Sequence, residues 1–228
     1  MDVPYASLQD LQKELYKLDL FDHYLVQDAL LQVERSHIDQ MRDDGASYLE
    51  QHIYPVTISV IHYYKEQSKI PSVELIVAAL LHDAIEDDEN FTDEKCMKIF
   101  GNKILSIVKP LTKTDYKKFP GTTKQEKKLA LTADYLQNLE YAPSEAKIIK
   151  LADRLNNLQC IHLSPKKEKL KFYLKETEDF YLPFSKKVSI PFYEKLKFVL
   201  ESQRQSKKVR RRFCEIDLGN EWGGGWTK

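Results

Sequence analysis

Apolar residues recur along this chain at three- and four-residue spacing. After Ser7, a good N-cap with Asp10 three positions on, Leu8, Leu11, Leu15 and Leu18 fall on one helical face. The period continues through 21–41, through 52–67 (Ile53, Val56, Val60, Ile61, Tyr64) and through 73–86, which follows Pro71-Ser72. It returns in 93–109, in 124–139, in 144–161 beside a second Pro-Ser pair, in 166–182 and in 191–203. Nine helices without convincing period-two alternation predict an all-α bundle.

Seven glycines, three of them in "WGGGW", leave few hairpin turns, so a β-rich fold is not expected. The segment 110–123, "PLTKTDYKKFPGTT", reads as one long internal loop, and such loops are often functional. Beyond residue 204 the periodicity lapses, which predicts a single domain over 1–203 and a weakly ordered tail over 204–228.

Composition narrows the function. Of 228 residues 42% are apolar, ample for a core, and 35 Lys and Arg balance 35 Asp and Glu. No global field then draws the chain to nucleic acid or to an anionic membrane, and any anion site must come from local clustering. The run "KKVRRR" at 207–212 lacks interleaved aromatics and reads as a solvated helix end. Cys96, Cys160 and Cys214 are odd in number and far apart, which speaks against a disulfide framework or a thiolate zinc site. With neither a leader-like start nor a long apolar run, a soluble cytoplasmic protein is expected; the oligomeric state is not legible.

Charge concentrates in "LLHDAIEDDEN", residues 80–90. On a continuous helix His82 and Glu86 stack one turn apart, as do Asp83 and Asp87, within a sector about 100° wide. A helix C-terminus already carries partial negative charge, so this many acids there need a compensating cation or are simply solvated. Two other features favour a site. Asp153 stands in the apolar pattern of "KIIKLADRLNNLQ", and His52 opens a helix whose next turns are apolar. Acids in core-like positions are costly unless paired or bound to a metal. Two imidazoles and two carboxylates suit a divalent ion such as Mn²⁺, Fe²⁺ or Zn²⁺ with open positions for water.

His52, the His82-Asp83 pair and Asp153, in that order on an all-α chain, resemble the H…HD…D signature of the HD superfamily of metal-dependent phosphohydrolases. "AALLHDAIEDDENFT", "IFGNKILSIVKPLTK", "KLADRLNNLQ", "SHIDQMRDDGASYLEQH" and "ETEDFYLPFSKKVSI" are similar to the hydrolase domain of the RelA/SpoT alarmone proteins, over about residues 25–195. The resemblance implies an HD-domain helical bundle of the small alarmone hydrolase type, removing the 3′-pyrophosphate of ppGpp or pppGpp. It implies His52, His82, Asp83 and Asp153 as ligands, usually to Mn²⁺, and Glu86 with Asp87 as the pair that handles the attacking water. Arg42, Lys113, Lys150 and Asn157 are the expected substrate contacts, with Lys117, Lys118 and Lys124 further cations of the loop region. His37 and Gln40 match supporting positions, and Asp88 and Glu89 are left as solvated charge.

The chain departs from the family pattern in places. Asp43 follows Arg42 where Lys is usual, one extra residue precedes His52, and Asn156 replaces a His. Base recognition is what these changes touch. Two alternatives therefore stand beside ppGpp: another nucleotide (pppApp, the 2′-phosphate of NADPH, a nucleoside monophosphate), and a non-catalytic nucleotide-binding or antitoxin module.

Overall fold

The computed structural model describes residues 3–217, with side chains as far as residue 205. All nine segments expected from the periodicity are helical, and the only β-type pairing among the described residues is an isolated bridge between Met41 and Ser47. The helices are α1 (Leu8–Tyr16), α2 (Tyr24–His37), α3 (Tyr54–Glu66), α4 (Val73–Leu80), α5 (Ala84–Asp87), α6 (Asp93–Val108), α7 (Lys124–Leu139), α8 (Ser144–Cys160), α9 (Lys167–Glu176), α10 (Leu182–Val188) and α11 (Ile190–Asp217). The last runs past residue 204, where the periodicity lapses. Residues 218–228, including the Gly/Trp-rich end, lie outside the described residues, as do the side chains of the basic run 207–212.

α8 is the axis of the bundle. Its apolar residues Ile149, Leu151, Ala152 and Leu158 are fully buried, and it packs against α3, α4, α6, α10 and α11. α4 is apolar on all sides, with Leu75, Ile76, Val77, Ala78, Ala79 and Leu80 all buried between α2, α3 and α6. Each such Leu or Ile contributes about 1.5–3 kcal/mol.

Three departures from regular helix shape the region around His52 and His82 and the helix beside it. The expected helix 73–86 breaks: α4 stops at Leu80 and α5 begins at Ala84, with Leu81 at φ −85°, ψ 4° between them. The second is a π turn over Leu49–Ile53, where the amide of Tyr54 reaches back five residues to the carbonyl of Leu49. The widened turn lies where the resemblance implies an added residue before His52. The third is Gly101 (φ 84°), which kinks α6 inside the segment expected to run unbroken.

The 110–123 loop is more ordered than its composition suggests. It carries short 3₁₀ turns at Lys109–Leu111 and Tyr116–Lys118, and Tyr135 Oη donates to the carbonyl of Leu111 at 3.1 Å. At Gly121 (φ 143°) an added Cβ would meet Glu126 Cβ at 2.8 Å, so only glycine lets the loop close onto the capping box of α7.

Candidate active site

The break between α4 and α5 changes how the His-Asp pair is presented. On a continuous helix His82 and Asp83 would diverge by ~100°. In the interrupted turn both reach one point: His82 Nε2 lies 3.3 Å from Asp83 Oδ2 and 3.2 Å from His52 Nε2, and His52 Nε2 lies 3.1 Å from Asp83 Oδ2. Asp153 arrives from α8, with Oδ1 3.6 Å from His52 Nε2. The histidines are buried, at 0% and 2% exposure, while Asp83 remains partly open to the pocket.

The outer nitrogens fix what the inner ones offer. His82 Nδ1 is 2.8 Å from the carbonyl of Ala79, which can only accept, so Nδ1 carries hydrogen. His52 Nδ1 is 2.7 Å from Asn156 Oδ1, and Asn156 Nδ2 donates to the carbonyl of Gln51 at 3.0 Å, which sets the amide's orientation and makes His52 Nδ1 a donor as well. Two Nε2 lone pairs and a carboxylate oxygen therefore face one another at 3.1–3.3 Å with no hydrogen of the neutral rings between them. Such a cluster calls for a positive charge at its centre. His52, His82 and Asp83 form a group that could hold a metal ion, with Asp153 Oδ1 3.6 Å from His52 Nε2 beside it and the imidazoles oriented from behind as metal ligands require.

The electrostatics show the same demand for positive charge: without a cation at the centre, His82 itself takes up a proton. Burial by itself lowers the pKa of His82, but Asp83 and Asp153 raise it to about 9. Burial pushes the Asp83 carboxyl up, and His82 and His52 outweigh it and hold it well below the usual carboxylate range. Burial acts likewise on Asp153, where Lys150, with help from His52 and His82, brings the pKa down to about 2. Lys150 Nζ stands 2.6 Å from Asp153 Oδ2 and 5.3 Å from the centre of the Tyr135 ring. It is the cation that the acidic helix end lacked.

Over this cluster opens a polar pocket of about 270 Å³. Asp83, Asp153, Glu86, Asp87, Arg42, Lys113, Lys150 and Asn157 all line it, so the pocket joins eight of the ten residues singled out from sequence, with His52 and His82 in the protein beneath. Glu86 Oε2 accepts from the Lys113 amide at 3.1 Å, and desolvation by the pocket wall raises the Glu86 carboxyl above its ordinary pKa. Asp87 accepts from Gln40 Nε2 at 3.1 Å, and Gln40 in turn contacts His37 Nδ1 at 2.5 Å. Lys113 Nζ lies 5.4 Å over the same Tyr135 ring that carries Lys150. Arg42 donates to Asn157 Oδ1 at 3.0 Å, and Asn157 hydrogen-bonds Asp153.

Some expectations need correction. Lys117, Lys118 and Lys124 do not line the pocket; Lys124 instead sits 5.6 Å over the ring of Tyr116. Asp88 is not merely solvated, for it accepts from Ser36 Oγ at 2.8 Å and ties the end of α5 to α2. Asp43 does not leave a cationic gap unfilled: Lys169 of α9 reaches it at 2.5 Å, and both line the pocket. Periodicity and motif spacing did not reveal Tyr48, whose hydroxyl donates to Asp83 Oδ2 at 2.6 Å, or the buried Arg154–Glu176 pair at 2.6 Å, closed by Thr177 and Thr132. Tyr48 stands four before His52, the one available signal.

A family model described as HD domain matches residues 29–190. The chain belongs to the HD domain family. It is 30% identical over 173 residues to a guanosine-3′,5′-bis(diphosphate) 3′-pyrophosphohydrolase of Spiroplasma citri, covering 74% of this chain and 21% of that one. It is 35% identical over 108 residues to the pyrophosphohydrolase MESH1 of Danio rerio, covering 46% and 53% of the two. A probable GTP diphosphokinase RSH2 of Oryza sativa subsp. japonica is 29% identical over 175 residues, covering 75% and 23%. The chain thus spans about a quarter or less of the long relatives it matches. A solved structure, described as a metazoan ortholog of SpoT that hydrolyses ppGpp, superposes with a TM-score of 0.61 over 79% of this chain and 96% of its own at 22% identity, a likeness of fold.

Proposed function

We propose that this HD domain hydrolyses the 3′-pyrophosphate of guanosine tetra- or pentaphosphate, giving GDP or GTP and pyrophosphate, with Mn²⁺ held by His52, His82, Asp83 and Asp153. The observation that carries this reading is the convergence of two lone-pair nitrogens and a carboxylate within 3.3 Å at the floor of a pocket that Glu86, Asp87, Lys113 and Lys150 also line. The names of the relatives supply the nucleotide.

A divalent cation held by these residues would supply water ionised near neutral pH and polarisation of a phosphoryl oxygen. Glu86, its carboxyl pKa raised by the pocket wall, takes the proton from the attacking water. That proton passes from Glu86 by way of Asp87, steadied by Gln40 and His37, to the ribose 3′ oxygen as the P–O bond breaks. Lys113, half-buried over Tyr135, and Lys150 place positive charge beside the pyrophosphoryl group under attack, whose oxygens gather negative charge. Arg42, 5.6 Å over the ring of Tyr48 and bonded to Asn157, contacts the nucleoside side of the substrate. Among the described residues no helix is long and apolar enough to cross a membrane, and a cytoplasmic enzyme acting on a free nucleotide fits that.

The Asp43–Lys169 pair favours a second reading. It puts an acid where the resemblance expects Lys, so a different 3′-phosphorylated nucleotide is the rival substrate. Incubating the Mn²⁺-loaded protein with ppGpp, pppApp, NADPH and nucleoside monophosphates, and identifying products, tests both. GDP plus pyrophosphate from ppGpp is the expected outcome; turnover of another member with ppGpp left intact selects the rival.

A further inference from the structure

Three buried side-chain atoms among the described residues have no hydrogen-bond partner: His37 Nε2, Thr112 Oγ1 and Gln51 Oε1. Only Gln51 belongs to a residue that lines the pocket, where Asp44, its hydrogen-bond partner, and Arg42 line it too. Gln51 is 4% exposed and lies in the π turn Leu49–Ile53. π turns are over-represented at functional sites because the widened turn re-aims side chains.

The orientation of the amide is decided by its neighbour. Gln51 Nε2 donates to Asp44 Oδ2 at 2.9 Å, and since an ionised carboxylate only accepts, the oxygen cannot occupy that place. Oε1 is left as a buried acceptor awaiting a donor, an arrangement that is unfavourable until one arrives. Its surroundings are rich in acceptors too. Asp44 takes hydrogen bonds from the Ala46 amide and from Gln51, which leaves lone pairs to spare, while the guanidinium of Arg42 is engaged by Asn157. An end built this way selects a ligand edge made of donors. Guanine presents adjacent N1–H and N2–H₂ groups, whereas adenine has an acceptor nitrogen at the first position and no amine at the second.

We propose that Gln51 is a specificity-determining residue that accepts a hydrogen bond from the guanine edge of the nucleotide; the inference rests on the nucleotide reading of the pocket and assigns its base end. The π turn is then the means by which the chain places this acceptor.

Equilibrium binding of GDP, IDP and ADP to the Mn²⁺-loaded full chain tests it without any need for turnover. One buried hydrogen bond separates GDP from ADP by about tenfold. Gln51→Met, close in volume, brings the ratio below about fivefold by weakening GDP and not ADP. A wild-type ratio below about fivefold, or a ratio that survives in Gln51→Met, overturns the proposal. Should the variant not fold, the wild-type series decides alone, with GDP bound more tightly than ADP and IDP, which keeps N1–H and lacks the 2-amino group, matching GDP if the bond comes from N1–H and ADP if it comes from the amine; equal binding of the three refutes it. Selectivity through Gln51 with ppGpp left uncleaved would sink the hydrolase reading and keep this one, and cleavage without base selectivity would do the reverse.

Discussion

Replacing Asn156 by leucine separates the metal cradle from its support. Asn156 lies behind His52, with its oxygen 2.7 Å from Nδ1 and its nitrogen 3.0 Å from the Gln51 carbonyl, and it is 3% exposed. Leucine is near its volume and has no polar atoms, so Asn156→Leu strands two buried groups, the His52 Nδ1–H and the Gln51 carbonyl. Each costs roughly 1–3 kcal/mol, which predicts about 2–6 kcal/mol of lost stability. The imidazole also loses the bond that fixes its tautomer, and such losses behind a metal ligand lower affinity by about 10–100-fold. Asn156→Asp is the informative control, because a carboxylate keeps the acceptor for His52 Nδ1 and loses the donor to Gln51. It is expected to bind Mn²⁺ nearly as well as wild type while still being destabilised. Calorimetric titration with Mn²⁺, paired with urea unfolding in chelator, reads both quantities. If folded Asn156→Leu binds Mn²⁺ within about twofold of wild type, the outer bond does not set the inner lone pair and the reasoning about the site is wrong.

Glu86→Gln is expected to keep its Mn²⁺ and lose about 10²–10⁴ in rate; a general base works only when ionised, so the wild-type rate falls as pH drops through a midpoint above the ordinary carboxylate value, and a variant that retains that limb assigns it elsewhere. Arg154→Met leaves Glu176 buried without its partner at 2.6 Å and should cost about 3–5 kcal/mol in urea unfolding, whereas an unchanged midpoint would mean the pair is not buried as described. For Asp153 the folded pKa of about 2 lies below the ordinary 3.8, so its share of metal-free stability is complete above about pH 4 and disappears as pH falls toward 2. Unfolding of Asp153→Asn measured over that interval should be flatter with pH than wild type, and an equal slope would discount the Lys150 pairing.

The helices were legible because each buried stripe repeats at the helical period, and the residues that converge at the pocket floor stood out because His82-Asp83 and Asp153 put charge where that stripe demands apolar groups. What lay hidden depends on backbone that periodicity cannot report. The Leu81–Asp83 break and the π turn at Leu49–Ile53 leave the apolar pattern intact while turning His82, Asp83 and His52 onto one point. Tyr48 and the Arg154–Glu176 pair are tertiary partners, separated in sequence from Asp83 or from each other, and no local pattern marks them. The loop lysines show the converse error: charge in a long loop suggested a phosphate cradle, but of Lys113, Lys117, Lys118 and Lys124 only Lys113 lines the pocket, because the 3₁₀ turn Tyr116–Lys118 and the cap of α7 carry the others away.

One cation held by four side chains from three parts of the fold is the centre of the proposed chemistry. Titrating Mn²⁺ onto chelator-treated protein should give one ion per chain, and Asp83→Ala and Asp153→Ala should each abolish that binding while Glu86→Ala leaves it in place. Undiminished binding in folded Asp83→Ala or Asp153→Ala, or no ion bound by the wild-type chain, would contradict it.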